Sequence, residues 1–329
     1  MAGSGVAHLR TNAEPILSVE NLVVEFPAGR HRTVYAVSNI SFDLLPGETL
    51  GIVGESGCGK STAGRAVMQL PAPKSGNVRI EGTELSVLSA SALRRIRAKM
   101  QMIMQDPISS LNPRRKVKHL VTEGPRMWGR QNKEALEKRG RELLWAVGLD
   151  PDMVWERLPG ELSGGQCQRV CIARAMMLEP KLLICDEPVS SLDVSVQAQI
   201  LNLLEQTKTE FDLTMVFIAH NMAVVKNISD RVMVMYLGKV CEIAPSRNME
   251  HQARHPYTRL LLDSIPDPDV HREDAESTPV IEGDLPSPLD PPSGCRFRTR
   301  CPLATESCAT EEPILREVTE GHYVACHHV

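Results

Sequence analysis

The sequence predicts an α/β fold: a parallel sheet with helices between its strands, an antiparallel β subdomain ahead of it, a helical insertion within it and a small irregular, cysteine-rich extension behind it. Three observations carry this reading. Residues 49–53, 182–185, 214–218 and 232–235 are short, continuous apolar runs, the pattern of strands buried on both faces. Between the second and third of them, residues 196–207 place Ile200, Leu203 and Leu204 at helical spacing, so strand and helix alternate. Past Glu250 prolines become frequent, with Pro286, Pro288, Pro291 and Pro292 in one short stretch, the mark of an irregular appendage.

Taken in order, residues 1–14 are small and polar and read as a loose tail. Residues 16–26 and 34–45 alternate apolar and polar side chains around Pro27-Ala28-Gly29, the pattern of antiparallel strands joined by a turn. The strand at 49–53 ends in glycines and is followed by a helix-compatible run at 60–70. Residues 107–160 are richer in Arg, Lys, Glu and Trp, with a helical stretch at 133–147 between Pro and Gly breaks. The expected division is therefore a tail at 1–14, a main domain at 15–250 with its helical insertion at about 107–178, and an extension at 251–329. No internal repeat is present.

Composition narrows the function. Of the 329 residues, 42% are hydrophobic and 24% charged, which is globular and excludes a collagen-like or coiled-coil rod. Lys and Arg number 37 against 41 Asp and Glu, a net charge of −4, so bulk electrostatics do not favour nucleic acid and any bound anion must be caught locally. No apolar run approaches the roughly 18 residues of a spanning helix, and residues 1–15 lack the apolar core of a signal peptide. The expectation is a chain that is neither exported nor membrane-spanning, with reduced thiols. Cys58, Cys167, Cys171, Cys185 and Cys241 lie in apolar surroundings and read as small buried hydrophobes.

The anion trap is at Gly54, Glu55, Ser56, Gly57, Cys58, Gly59, Lys60 and Ser61, with Thr62 following: a P-loop pattern between a strand and a helix. Its glycines let the backbone curl so that successive N–H groups point inward at phosphate oxygens, and the helix adds its positive end. Lys60 would reach the β and γ phosphates of ATP, and the Ser61 hydroxyl would complete the shell of Mg²⁺. A second half of the site stands where the strand at 182–185 ends in Asp186 and Glu187: Asp186 placed to hold Mg²⁺, Glu187 to polarise an attacking water as general base.

A second glycine-rich turn, Ser163-Gly164-Gly165-Gln166 after Leu162, opens its own helix about a hundred residues downstream. With this signature the chain resembles the ATP-binding subunit of ABC transporters over roughly residues 16–250. The further motifs are Gln105 in Met104-Gln105-Asp106, Ser190-Ser191-Leu192-Asp193 and His220 in Ile218-Ala219-His220. The resemblance implies a P-loop NTPase (RecA-like) core. It implies that Tyr35 stacks on adenine, that Gln105 contacts Mg²⁺ or water at the joint with the insertion, and that His220 contacts the γ-phosphate. It also implies that Ser163, Gly164, Gly165, Gln166 and Asp193 serve the ATP held by a second such subunit, a copy or a paralogue. Cys167 and Asn221 stand where a basic residue and Asp are common, and neither change removes a catalytic group.

The stretch 255–261 and the run Leu285-Pro286-Ser287-Pro288-Leu289-Asp290-Pro291-Pro292-Ser293-Gly294-Cys295 resemble the extension of the dipeptide and oligopeptide importer branch. That implies two membrane permeases and a substrate-binding protein as partners, no nucleic acid, and a peripheral position on the cytoplasmic face of the inner membrane. Nickel, glutathione, opines or oligosaccharides are relatives' alternative cargoes, and a non-transport ABC ATPase is the alternative machine. Cys295, Cys301, Cys308 and Cys326 are separated by 5, 6 and 17 residues. This spacing lacks the tight pair with which zinc sites usually start. A [4Fe–4S] cluster is expected, as in some relatives, with zinc or metal-free thiols as the alternatives.

Overall fold

The computed structural model describes residues 4–29, 31–129, 132–265 and 284–329. In chain order the elements are β1 (Leu17–Ala28), β2 (Arg32–Leu44), β3 (Thr49–Val53), α1 (Lys60–Val67), β4 (Ser75–Ile80), β5 (Thr83–Glu84), α2 (Ala90–Ala98), β6 (Met100–Ile103), α3 (Val117–Met127), α4 (Lys133–Ala146), α5 (Pro151–Val154) and α6 (Gly164–Met176). They continue with β7 (Leu182–Asp186), α7 (Val194–Glu210), β8 (Thr214–Ala219), α8 (Met222–Ile228), β9 (Arg231–Tyr236), β10 (Lys239–Pro245), α9 (Ser246–Gln252), α10 (Pro256–Asp263), α11 (Glu306–Thr310), β11 (Arg316–Thr319) and β12 (His322–Val324). Two compact units result: residues 1–88 with 217–329, and residues 89–216.

In the first unit, β1 pairs antiparallel with β2 and with β4, from Leu17↔Leu44 to Ala28↔Arg32 on one side and Leu17↔Ile80 on the other. The alternation read in the sequence is the cause: Leu17, Val19, Leu22 and Val24 are fully buried while the residues between them face out. A second sheet pairs β3 parallel with β9, then runs antiparallel through β10 and β12 to β11. β3 is buried along its whole length, as its uninterrupted apolar run requires.

The extension is more regular than its prolines imply. Residues expected to be irregular form α10, α11 and the strands β11 and β12, and the last of these pairs with β10 at Glu242↔Val324 and Ile243↔Tyr323. The reason is a buried contact between distant residues. Glu242, fully buried on β10, meets His322 Nε2 at 2.6 Å and accepts the backbone N–H groups of Arg254 (2.8 Å) and His255 (3.0 Å). Hydrogen bonding to His322 and to these amides holds the Glu242 carboxyl below its ordinary pKa, against the upward push of burial.

The second unit holds the parallel pair β6 and β7, in register from Met100↔Leu182 to Ile103↔Cys185, and the helices α3, α4 and α6 packed on one another. On α4, Gly140 leaves room for the Trp155 ring that follows α5 and for Val121 of α3, which a Cβ there would meet at 3.0 and 3.4 Å. The five scattered cysteines, 58, 167, 171, 185 and 241, are all buried, in keeping with a packing role.

Candidate active site

In the first unit, β3 delivers the chain into the loop at residues 54–59, and α1 begins at Lys60. Glycine is required at two of these positions by close approach. A Cβ on Gly54 would lie 2.1 Å from the Met235 carbonyl oxygen, and one on Gly59, where φ is +104°, 2.2 Å from that of Ala36. Lys60 is buried, and its Nζ donates to the carbonyl oxygens of Gly54 (2.7 Å) and Glu55 (2.9 Å). The ammonium is thus folded back on its own loop. Ser61 and Thr62 follow in the first turn of α1. The backbone N–H of Glu55 donates to the Tyr257 hydroxyl at 2.8 Å, and burial pushes the Cys58 thiol up, which makes it a poor nucleophile.

The same unit carries Tyr35 and His220. Tyr35 lies on β2 opposite Glu25, about a third exposed, with its backbone N–H donating to the Pro288 carbonyl at 2.9 Å. His220 is exposed directly after β8. Asn221, where the sequence departs from the common Asp, caps α8 by accepting the Ala223 N–H at 2.8 Å, so Asn here does a cap's work without a charge.

In the second unit, β7 ends at Asp186, fully buried, and Glu187 follows with φ of +48°. A non-glycine residue in the left-handed region costs on the order of 1 to 3 kcal/mol, and such strain collects at functional sites. The Glu187 carboxylate accepts from Gln105 Nε2 at 3.0 Å. Gln105 therefore turns its amide nitrogen to this carboxylate, which leaves its amide oxygen as an acceptor for another partner. Ser163 caps α6: its hydroxyl oxygen accepts the Gln166 N–H (3.2 Å) while Gln166 Oε1 accepts the Ser163 N–H (3.0 Å). An accepting hydroxyl still has its own O–H to donate. Gly165 is held to glycine by packing, since a Cβ would meet Val196 at 2.7 Å, and Asp193 stands at the start of α7. No local pattern signals the bond between Gln105 and Glu187, since 82 positions separate the two residues.

Two family comparisons match the chain. Residues 37–190 match the family described as ABC transporter, and residues 241–308 match the one described as oligopeptide/dipeptide transporter, C-terminal region. YkfD of Bacillus subtilis is 49% identical over 95% of both chains. The oligopeptide transport ATP-binding protein OppF of Escherichia coli is 48% identical over 90% of this chain and 88% of its own. The chain belongs to the ABC transporter ATP-binding family. Its ABC fold agrees with solved structures. The ATP-binding cassette MJ0796, in a dimeric post-hydrolysis state bound to ADP and Pi, aligns at a TM-score of 0.64 with 28% identity, covering 70% of this chain and 99% of that one. CbiO1 of Clostridium perfringens, part of the ABC transporter complex cbiONQ, aligns at 0.63 with 26% identity, covering 73% and 92%. As an ABC ATP-binding subunit the chain binds and hydrolyses ATP.

The four tail cysteines are free thiols, Cys308 and Cys326 buried and Cys295 and Cys301 half-buried. Burial, with a further push from the neighbouring cysteines, raises the Cys295 thiol to about 11. The Cys326 sulfur accepts the His328 N–H at 3.4 Å, and Cys308 Sγ lies 3.6 Å from His328 Nε2. Among the described residues no group of three or more His, Cys, Asp or Glu is arranged to hold a metal ion. The expected [4Fe–4S] group, like the zinc alternative, finds no support in this arrangement of the thiols. Among the described residues, no helix is long and apolar enough to cross a membrane.

Proposed function

We propose that this chain is the ATP-hydrolysing subunit of a binding-protein-dependent importer of peptides, working on the cytoplasmic face of the membrane with two permeases and a second ATPase subunit. The observation that carries the reading is similarity over nearly the whole chain, extension included, to the oligopeptide transport ATP-binding protein OppF.

The chemistry follows from the residues. The loop N–H groups at 54–61 and the end of α1 take the β and γ phosphates, with Lys60 swinging from its loop carbonyls to the anion, a stronger partner. Ser61, Asp186 and the amide oxygen of Gln105 are the oxygen donors suited to Mg²⁺, which supplies charge neutralisation on the phosphate oxygens. Glu187, held by Gln105, takes a proton from the attacking water, and His220 donates to the γ-phosphate. Tyr35 stacks on the base. Ser163 with the N–H groups of Gly164 and Gly165 is the clamp for the partner subunit's ATP, with Gln166 fixing Ser163 and Asp193 beside it. Nucleotide then closes two subunits together and hydrolysis resets them. For the tail we keep the [4Fe–4S] proposal on donor chemistry alone, four neighbouring thiols free of disulfides, and no step of hydrolysis runs through it.

The test is reconstitution in proteoliposomes with the permeases and binding protein of the proposed importer. ATP hydrolysis is expected to rise severalfold on adding short peptides. Stimulation by nickel, glutathione or an oligosaccharide and not by peptides would move the assignment to that cargo.

A further inference from the structure

The segment from 285 to 300 touches the P-loop and the Tyr35 strand at two points each. On the P-loop side, Arg300 Nη1 donates to both carboxylate oxygens of Glu55 (3.0 and 2.9 Å), and Leu285 lies 3.9 Å from where a Cβ on Gly57 would be. On the strand side, the Pro288 carbonyl accepts the Tyr35 N–H, and Arg296 Nη2 donates to the Ser38 hydroxyl at 2.8 Å. Leu289, Pro291 and Arg296 line the same groove as Tyr35.

Arg300 is built in. Its side chain is only 6% exposed, and its guanidinium lies 5.8 Å over the Tyr236 ring. That ring packs edge-on against Tyr257 (4.8 Å) and Phe297 (5.1 Å). Tyr257 in turn receives the Glu55 N–H. Glu55 is therefore gripped twice, at its backbone through the aromatic cluster and at its carboxylate through Arg300. Glu55 is also one of the two residues whose carbonyls hold Lys60.

We infer that Arg300 is a positioning residue for nucleotide binding: through Glu55 it fixes the P-loop, and the segment from 285 to 300 holds that loop in register with the Tyr35 strand. A P-loop works by preorganised N–H groups, so a brace that removes its freedom before binding lowers the ordering cost of binding. The brace acts on affinity and leaves the hydrolytic groups untouched. The inference rests on the proposal that residues 54–61 are the phosphate site.

The test uses the full chain, with MgATP affinity from equilibrium binding and kcat and KM from steady-state hydrolysis. Arg300→Ala is expected to weaken MgATP binding and raise KM about tenfold, the scale of one hydrogen bond to a charged group, with kcat within about twofold. Arg300→Lys restores part of the loss. Glu55→Gln gives a similar loss, and the double variant is no worse than either single one. A residue that only stabilised the fold would lower the melting temperature and the active fraction, and would leave KM alone. Unchanged KM in Arg300→Ala, or additive losses in the double variant, overturns the inference. Lys60→Ala separates the two readings: if it still binds MgATP, the phosphate site itself is misplaced; if binding is lost while Arg300→Ala behaves as wild type, only the brace fails. Should Arg300→Ala not fold, Arg300→Lys with Glu55→Gln carries the same cycle.

Discussion

His255 offers a test of the fold that is independent of the nucleotide. It caps α10, its Nδ1 accepting the Tyr257 N–H at 3.1 Å, and it is 2% exposed beneath Phe297, with the Glu242 carboxylate acting on it and Lys239, Cys241, Cys295 and Arg296 lining the same cavity. Burial holds the ring neutral and drives its pKa to about 4, with the Glu242 charge opposing. An exposed histidine titrates near 6.5, so between these values the open state carries more protons and stability falls as pH falls. The contribution is complete above about pH 7 and is lost progressively down to about pH 4. From pH 7 to pH 5 the loss works out at about 2 kcal/mol, close to 20-fold in the opening equilibrium. Hydrogen exchange of the amides of α10, corrected for intrinsic rates, reads that equilibrium directly. Asn can accept the same N–H without titrating, so His255→Asn is expected to flatten the profile while keeping protection near neutral pH. Parallel profiles for the two proteins between pH 7 and pH 5 would refute the argument.

Three further outcomes are expected. Glu187→Gln retains MgATP binding and loses hydrolysis by about 100-fold or more, the scale of a lost general base, as measured by phosphate release; undiminished turnover would remove Glu187 from that role. Gly59→Ala forces a Cβ to 2.2 Å from the Ala36 carbonyl in a backbone that side chains rarely adopt, and should cost about 2 kcal/mol or more in a denaturant titration. Anaerobic purification followed by iron and sulfide analysis should return about four of each per chain with broad visible absorption, as a cubane cluster requires; a colourless, iron-free, folded protein would reduce the tail to plain thiols.

The parallel strands were legible because burial on both faces leaves no polar position to confuse the pattern: β3 and β8 are buried throughout, and the sequence places them within a residue of their bounds. β10 escaped because it carries Cys241 and Glu242 inside an otherwise apolar run, and what makes Glu242 tolerable there is His322, 80 residues away. The motifs named the residues proposed for the site, but not their local chemistry. That Gln105 would turn its amide nitrogen to Glu187, that Glu187 would adopt a positive φ, and that Arg300 would reach Glu55 across 245 residues are tertiary facts with no local sequence signal.

The pairing of β12 with β10 also bears on what else this sheet could recruit. Without the extension, Val240, Cys241 and Ile243 would sit on an open sheet margin with free backbone groups, a template for any other strand. With it, the outermost strand is β11, four residues long, carrying Arg316 and Glu317 out into solvent. A margin so short and so charged recruits no neighbour. Trimming the chain after α9 to obtain a minimal cassette would therefore trade a blunted margin for an adhesive one, and the resulting protein would be lost to self-association before its catalysis could be measured.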